Sequence, residues 1–196
     1  MVIFQVPAGM PEHNLLGIRI GNYLEQRLGR DLAVLYDTFS YISPEALEKL
    51  GHFKNGDPHE YMQQRLLDLG ASPSFIAEMM AHLLKQGIMP SPYAPDVCVV
   101  QQADFDNRFR VPLWIGEIIS KDTRDYDLYF KAYLYERLGV KEYFVFETGR
   151  RSGKLLRAYE LKSESGALSH YQDIPIDGPM AHSWLFGFEI PVEWKI

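Results

Sequence analysis

The chain has 196 residues, 46% hydrophobic and 23% charged, the profile of a single globular domain that can bury an ordinary core without staples. Its single cysteine, Cys98, excludes an internal disulfide framework and fits a reducing cytoplasm, and no apolar run is long enough to span a membrane. A net charge of −6 excludes a broadly basic surface, so any nucleic-acid contact must be local.

The start, MVIFQVPAGMPEH, carries no basic, apolar leader. Leu15, Leu16, Ile18, Ile20, Leu24 and Leu28 recur at helical spacing and predict a helix over about 12–28, with Gly29 as its stop. Two β-prone runs follow at 33–36 and 38–42, separated by Asp37. Residues 44–90 change character: β-branched residues nearly vanish, and Pro44, Pro58 and Pro73 each follow a Ser or Asp cap. That pattern predicts three short helices at about 44–51, 58–69 and 73–86, ended by the proline-rich loop 88–95.

From Val97 the pattern turns to α/β. Strands are expected at 97–100, 112–120 and 142–146, then at 153–161, 167–172 and 183–190. Between the second and third, Asp122 or Thr123 caps a helix over 124–138, which Gly139 ends. The domain is read as one unit, 1–196, with 44–90 as a helical insertion. There is no internal repeat.

Three residues break the rules of their surroundings. Asp96 directly precedes an apolar strand. Glu117 lies inside another, among Trp114, Ile115, Ile118 and Ile119, where a carboxylate is costly to bury without a partner. If the two strands are neighbours, the carboxylates converge and, with a backbone carbonyl, make an oxygen-rich site suited to Mg²⁺ or Mn²⁺. Spacing alone equally permits Asp96 to cap a turn and Glu117 to face solvent from an edge strand. The third is Lys131, which falls in the middle of the face formed by Leu128, Leu134, Tyr135 and Leu138, with Asp127 four residues before it. It either points towards the carboxylates or snorkels at the rim of the core, paired with Asp127.

The six histidines show no zinc-ligand spacing and read mostly as surface residues. No GxSxG, Walker-type loop or GxGxxG is present. The tyrosines and phenylalanine of 126–135 read as packing. Arg108, Arg110, Lys121 and Arg124 are the best phosphate-contact candidates, against the plainer reading of solvated charges.

Four segments together resemble a known family: Pro95-Asp96 before an apolar run, Trp114-Ile-Gly-Glu117-Ile-Ile-Ser-Lys-Asp-Thr123, Asp127-Leu-Tyr-Phe-Lys131-Ala-Tyr-Leu-Tyr135, and Gly139-Val-Lys-Glu142-Tyr143. This order is similar to that of the Uma2 family of endonucleases, in the restriction-endonuclease-like, or PD-(D/E)XK, superfamily. The resemblance implies an α/β fold of that type, a mixed β-sheet flanked by helices. It implies phosphodiester hydrolysis of nucleic acid, with DNA the first expectation, and a homodimer by analogy. It makes Asp96, Glu117 and the Ile118 carbonyl ligands of Mg²⁺ or Mn²⁺. The superfamily lysine usually sits two residues after the strand carboxylate, where this chain has Ile119, so the resemblance assigns that part to Lys131. Glu25 and Asp127 are accessory acids on this reading. Family members usually carry a longer segment ahead of the first helix, and the block 44–90 replaces a short β connection; a lid, a dimer contact and a target-recognition insert are all open for it. The competing expectation is a degenerate nuclease fold that binds nucleic acid or protein without cutting.

Overall fold

The computed structural model describes residues 12–37, 58–86, 94–119, 124–163 and 169–196. The expected helix at 44–51, the second β run at 38–42, most of the proline-rich loop, and the caps Asp122 and Thr123 lie outside them. The elements, in chain order, are α1 (Glu12–Glu25), β1 (Leu32–Tyr36), α2 (Pro58–Asp68), α3 (Pro73–Gln86), β2 (Val97–Gln101) and β3 (Trp114–Ile119). A π-helical turn (Tyr126–Lys131) then runs into α4 (Ala132–Leu138). It is followed by β4 (Glu142–Gly149), β5 (Ser152–Lys162), β6 (His170–Asp173), β7 (Met180–Ser183), β8 (Phe188–Pro191) and β9 (Glu193–Lys195).

Six strands form a sheet in chain order, β1-β2-β3-β4-β5-β6, with β9 added alongside β5. Only β3 and β4 run parallel; the other neighbours are antiparallel. That parallel pair needs a crossover, which the π-turn and α4 supply. Both faces of the sheet are covered, which is why β3 and β4 read as near-continuous apolar runs. On one face α1 and the β7–β8 hairpin pack over Val97, Val99, Trp114, Phe144 and Phe146. On the other, α2, α3 and α4 pack over Cys98, Ile115, Ile119, Tyr143 and Val145. The fold is restriction-endonuclease-like: a mixed sheet between helices.

Three sequence expectations change in detail. α1 ends at Glu25, not at Gly29; its last turn tightens as the Arg27 N–H bonds the Leu24 carbonyl at 2.9 Å. The single strand expected at 183–190 is two arms of a hairpin around Trp184, Leu185, Phe186 and Gly187, where Gly187 takes φ +70°. The regular helix expected over 124–138 contains the π-turn. Its start is therefore wider than 3.6 residues per turn, and the Asp127 carbonyl accepts the Tyr143 hydroxyl at 2.7 Å from the sheet beneath. Gly139 does end α4, in the left-handed conformation with φ 88°, and the Val140 N–H bonds back to the Tyr135 carbonyl.

α2 and α3 are part of the core. Met62, Leu66, Leu69, Ile76 and Met80 are buried in the same cluster as the strands. Ser72 caps α3 by accepting the Phe75 N–H. Arg65 of α2 grips Glu136 of α4 through two nitrogens, at 3.0 and 2.7 Å, and the Tyr171 N–H bonds the same carboxylate at 2.6 Å. The Glu136 side chain is 0% exposed and that of Arg65 12%. Removing the arginine leaves a buried carboxylate short of its counter-ion. Arg65→Ala should therefore destabilise the chain by about 3–5 kcal/mol in urea unfolding, and Arg65→Met with Glu136→Leu should recover much of that loss.

Candidate active site

The site forms where β2 begins and β3 ends. Antiparallel register pairs Val97 with Gly116, so the preceding residue, Asp96, comes opposite Glu117. The Ile118 N–H donates to Asp96 Oδ2 at 2.7 Å, tying the carboxylate to the neighbouring strand. In a strand the N–H and C=O of one residue face the same side, so the Ile118 carbonyl is directed to the edge that Asp96 occupies. Gly116 is required beside this pair: a Cβ there would come within 2.6 Å of the Trp114 ring.

Glu117 is 2% exposed. It lies on the face covered by the π-turn and α4, between the apolar Ile115 and Ile119. Tyr135 donates its hydroxyl to Oε1 at 2.6 Å, and Lys131 places Nζ 3.0 Å from Oε2. The same ammonium is 2.9 Å from Asp127 Oδ1, and its side chain keeps 23% exposure. The widened turn sets Asp127 and Lys131 over the sheet together; π-turns of this kind are frequent at functional sites. At the other side, His13 at the start of α1 sets Nε2 3.0 Å from Asp96 Oδ1.

The charges follow from these contacts. Burial pushes the Glu117 carboxyl up to about 8, against the pull of Lys131 and the Tyr135 hydroxyl; Asp96 and Asp127 push it further. Burial also acts on Asp96, but hydrogen bonds from His13, the Ile118 N–H and Glu117 outweigh it and hold that carboxyl below its usual range. The hydrogen bond to Asp96 raises His13. For Lys131, burial opposes the charge, and Glu117 and Asp127 more than restore it. The centre thus holds three carboxyl groups against one ammonium and one imidazole. Two carboxylates opposite one another at a strand end are the kind of hard donor set that a dication can occupy.

Asp96, Glu117, Asp127 and Lys131 are brought together, with the Ile118 main chain between the two strands. Among the described residues no group of three or more His, Cys, Asp or Glu side chains has metal-holding geometry. The candidate set is instead two carboxylates and a main-chain oxygen, all hard donors. Other sequence candidates lie elsewhere. Glu25 is at the far end of α1 and accepts the Tyr36 hydroxyl. Arg108 and Arg110 sit on the loop between β2 and β3. Arg110 is buried and turned inward, donating to the Phe105 and Asn107 carbonyls, while Arg108 lies over the Phe109 ring. Arg124 pairs with Glu147. Lys121 lies outside the described residues. Two contributors escaped the sequence reading. Tyr135 reads from the sequence as packing, although it lies one helical turn after Lys131. His13 carries no metal-ligand spacing, and no spacing rule joins it to a residue 83 positions away.

The structure is a restriction-endonuclease-like mixed sheet with two carboxylates at adjoining strand ends and a lysine reaching over Glu117. A family model described as "Putative restriction endonuclease", Uma2, matches residues 52–193. That is well over half of the chain, which therefore belongs to the Uma2 family. The matched span includes α2 and α3 and leaves α1 outside. A comparison with individual curated proteins finds no match. No helix among the described residues is long and apolar enough to cross a membrane.

Tyr135 has a role that can be checked without any substrate. Tyr135→Phe keeps the ring and leaves the buried Glu117 oxygen without its donor. Thermal and urea unfolding should show a loss of about 1–3 kcal/mol; an unchanged stability would mean that the hydroxyl does not hold Glu117.

Proposed function

We propose that the chain is a divalent-metal-dependent endonuclease, with Asp96, Glu117 and the Ile118 carbonyl holding Mg²⁺ or Mn²⁺ and Lys131 assisting hydrolysis of a DNA phosphodiester. The observation that carries it is the lysine: Lys131 approaches the buried Glu117 from a different element, within 3.0 Å, at a strand end where a second carboxylate lies opposite. Family membership supports nuclease chemistry in general. The hard, acid-rich donor set supports a dication of the Mg²⁺ class.

A cation of that class supplies charge to a phosphoryl oxygen and makes a water more acidic. The chain's own groups do the rest. The β3 main chain holds one oxygen of Asp96 through the Ile118 N–H. Glu117 is clamped between Tyr135 and Lys131. Lys131 has three donors, and two are taken by Glu117 and Asp127. The third is left for a phosphate oxygen or the attacking water. Asp127 keeps the ammonium in place when Glu117 turns to other contacts. The partial exposure of Lys131 gives the substrate a way in.

The test is cleavage of plasmid, single-stranded DNA and RNA in Mg²⁺, Mn²⁺ or EDTA. Wild type should cut with metal and not with EDTA. Glu117→Gln should abolish cleavage. Lys131→Ala should lower it on the order of 10²–10³-fold, as expected for loss of one aimed donor at developing charge. Nucleic-acid binding that needs no metal and yields no product from any substrate would overturn the reading in favour of a binding module.

A further inference from the structure

One contact enters the candidate site from outside the span that matches the family. His13, the second residue of α1, places Nε2 3.0 Å from Asp96 Oδ1. We propose that His13 is a positioning residue for Asp96, holding the carboxylate in the orientation that receives the cation and making α1 part of the site. The inference rests on the nuclease reading above and adds to it a residue that the reading does not use.

Asp96 stands just ahead of β2, so the sheet ladder does not fix its side chain. The Ile118 N–H holds Oδ2 alone, and one bond lets a carboxylate pivot about it. A second bond, at Oδ1 and from another element, stops the pivot. A carboxylate oxygen can only accept, so Nε2 carries the hydrogen. The carboxylate offers about four acceptor sites, and His13 and the Ile118 N–H take one on each oxygen. The arrangement is that of an outer partner orienting a metal-binding group.

The reach of His13 is set by packing. One turn further along α1 comes Gly17, where a Cβ would stand 3.4 Å from Ile118 Cδ1 and 3.7 Å from Val97 Cγ2. Val97 follows Asp96 and Ile118 follows Glu117. The helix therefore rests directly on the two residues that flank the carboxylates, and a large side chain at 17 would lift it and the imidazole together. The His13 side chain is 37% exposed and that of Asp96 18%. A pair this open to water adds little to stability, so its geometry matters more to the site than to the fold.

The experiment is Mn²⁺ titration of the full chain, read by the electron paramagnetic resonance of the free ion, on wild type, His13→Ala and His13→Gln. His13→Ala should bind Mn²⁺ about 10–100-fold more weakly. His13→Gln, whose amide nitrogen donates from a similar reach, should regain most of that loss. Metal-free melting temperatures should stay the same in all three, which a merely structural role would not give. Equal affinity in wild type and His13→Ala overturns the proposal, as does His13→Gln binding as weakly as His13→Ala. A histidine nitrogen coupled to Mn²⁺ in pulsed spectra of the wild type also overturns it, because the imidazole would then be a ligand itself. Absence of Mn²⁺ binding by the wild type is a separate result: it overturns the metal reading, and this proposal with it.

Discussion

The arrangement depends on one constraint, a carboxyl group in the middle of a strand that is covered on both faces. Glu117 cannot reach water, being 2% exposed. Every group around it answers that fact. Tyr135 supplies a hydroxyl and Lys131 an ammonium, both from the crossover that links β3 to β4. Asp96 stands opposite it at the start of β2, where its charge opposes that of Glu117. A protein that needed only stability would do as well or better with a leucine there, because buried ion pairs seldom repay their desolvation. The cluster therefore reads as retained for chemistry rather than for the fold.

The crossover carries a second constraint. A regular α-helix satisfies its own carbonyls, whereas a π-turn shifts the pairing and opens its backbone. Here the sheet answers with a hydroxyl, as Tyr143 bonds the Asp127 carbonyl at 2.7 Å. The same tyrosine stacks with Tyr159 and Tyr171, so the turn that presents Lys131 rests on an aromatic layer rather than on a mobile loop. On the far side of α4, Arg65 and Glu136 fix the helix against α2. The lysine is thus positioned by packing on three sides and reaches its partners without a hinge.

Much of this was legible before any coordinates. Glu117 announced itself because a lone acid in an apolar strand breaks the pattern, and Lys131 because it fell on the wrong face of a helix. Period and turn residues located β2, β3, β5 and α3 within a residue or two. What stayed hidden depends on contacts distant in sequence or on subtle backbone geometry. The π-turn differs from an α-helix by one shifted hydrogen bond, and no residue in Tyr126–Lys131 signals it. The hairpin at Met180–Pro191 looked like one strand because its turn is built from Trp, Leu and Phe instead of the usual polar residues. Arg110 looked like a surface cation because sequence does not tell whether a loop arginine turns out to phosphate or in to its own carbonyls.

The position of Ile119 explains why the lysine stands on a helix. Residues 117 and 119 share a face of β3, and Ile119 is 1% exposed beneath the helical layer. An ammonium at 119 would start from a backbone position under that layer, between Glu117 two residues before it and Glu147 opposite it on β4. Placing the charge on the π-turn lets the side chain descend from the rim, keeping part of its stem in solvent and its tip at Glu117 and Asp127. The apolar Ile119 then closes the core, and the covering helix carries the cation that the strand could not solvate. The two features fit together: the more completely the helical layer of α2, α3 and α4 seals this face, the stronger the reason for the lysine to belong to that layer.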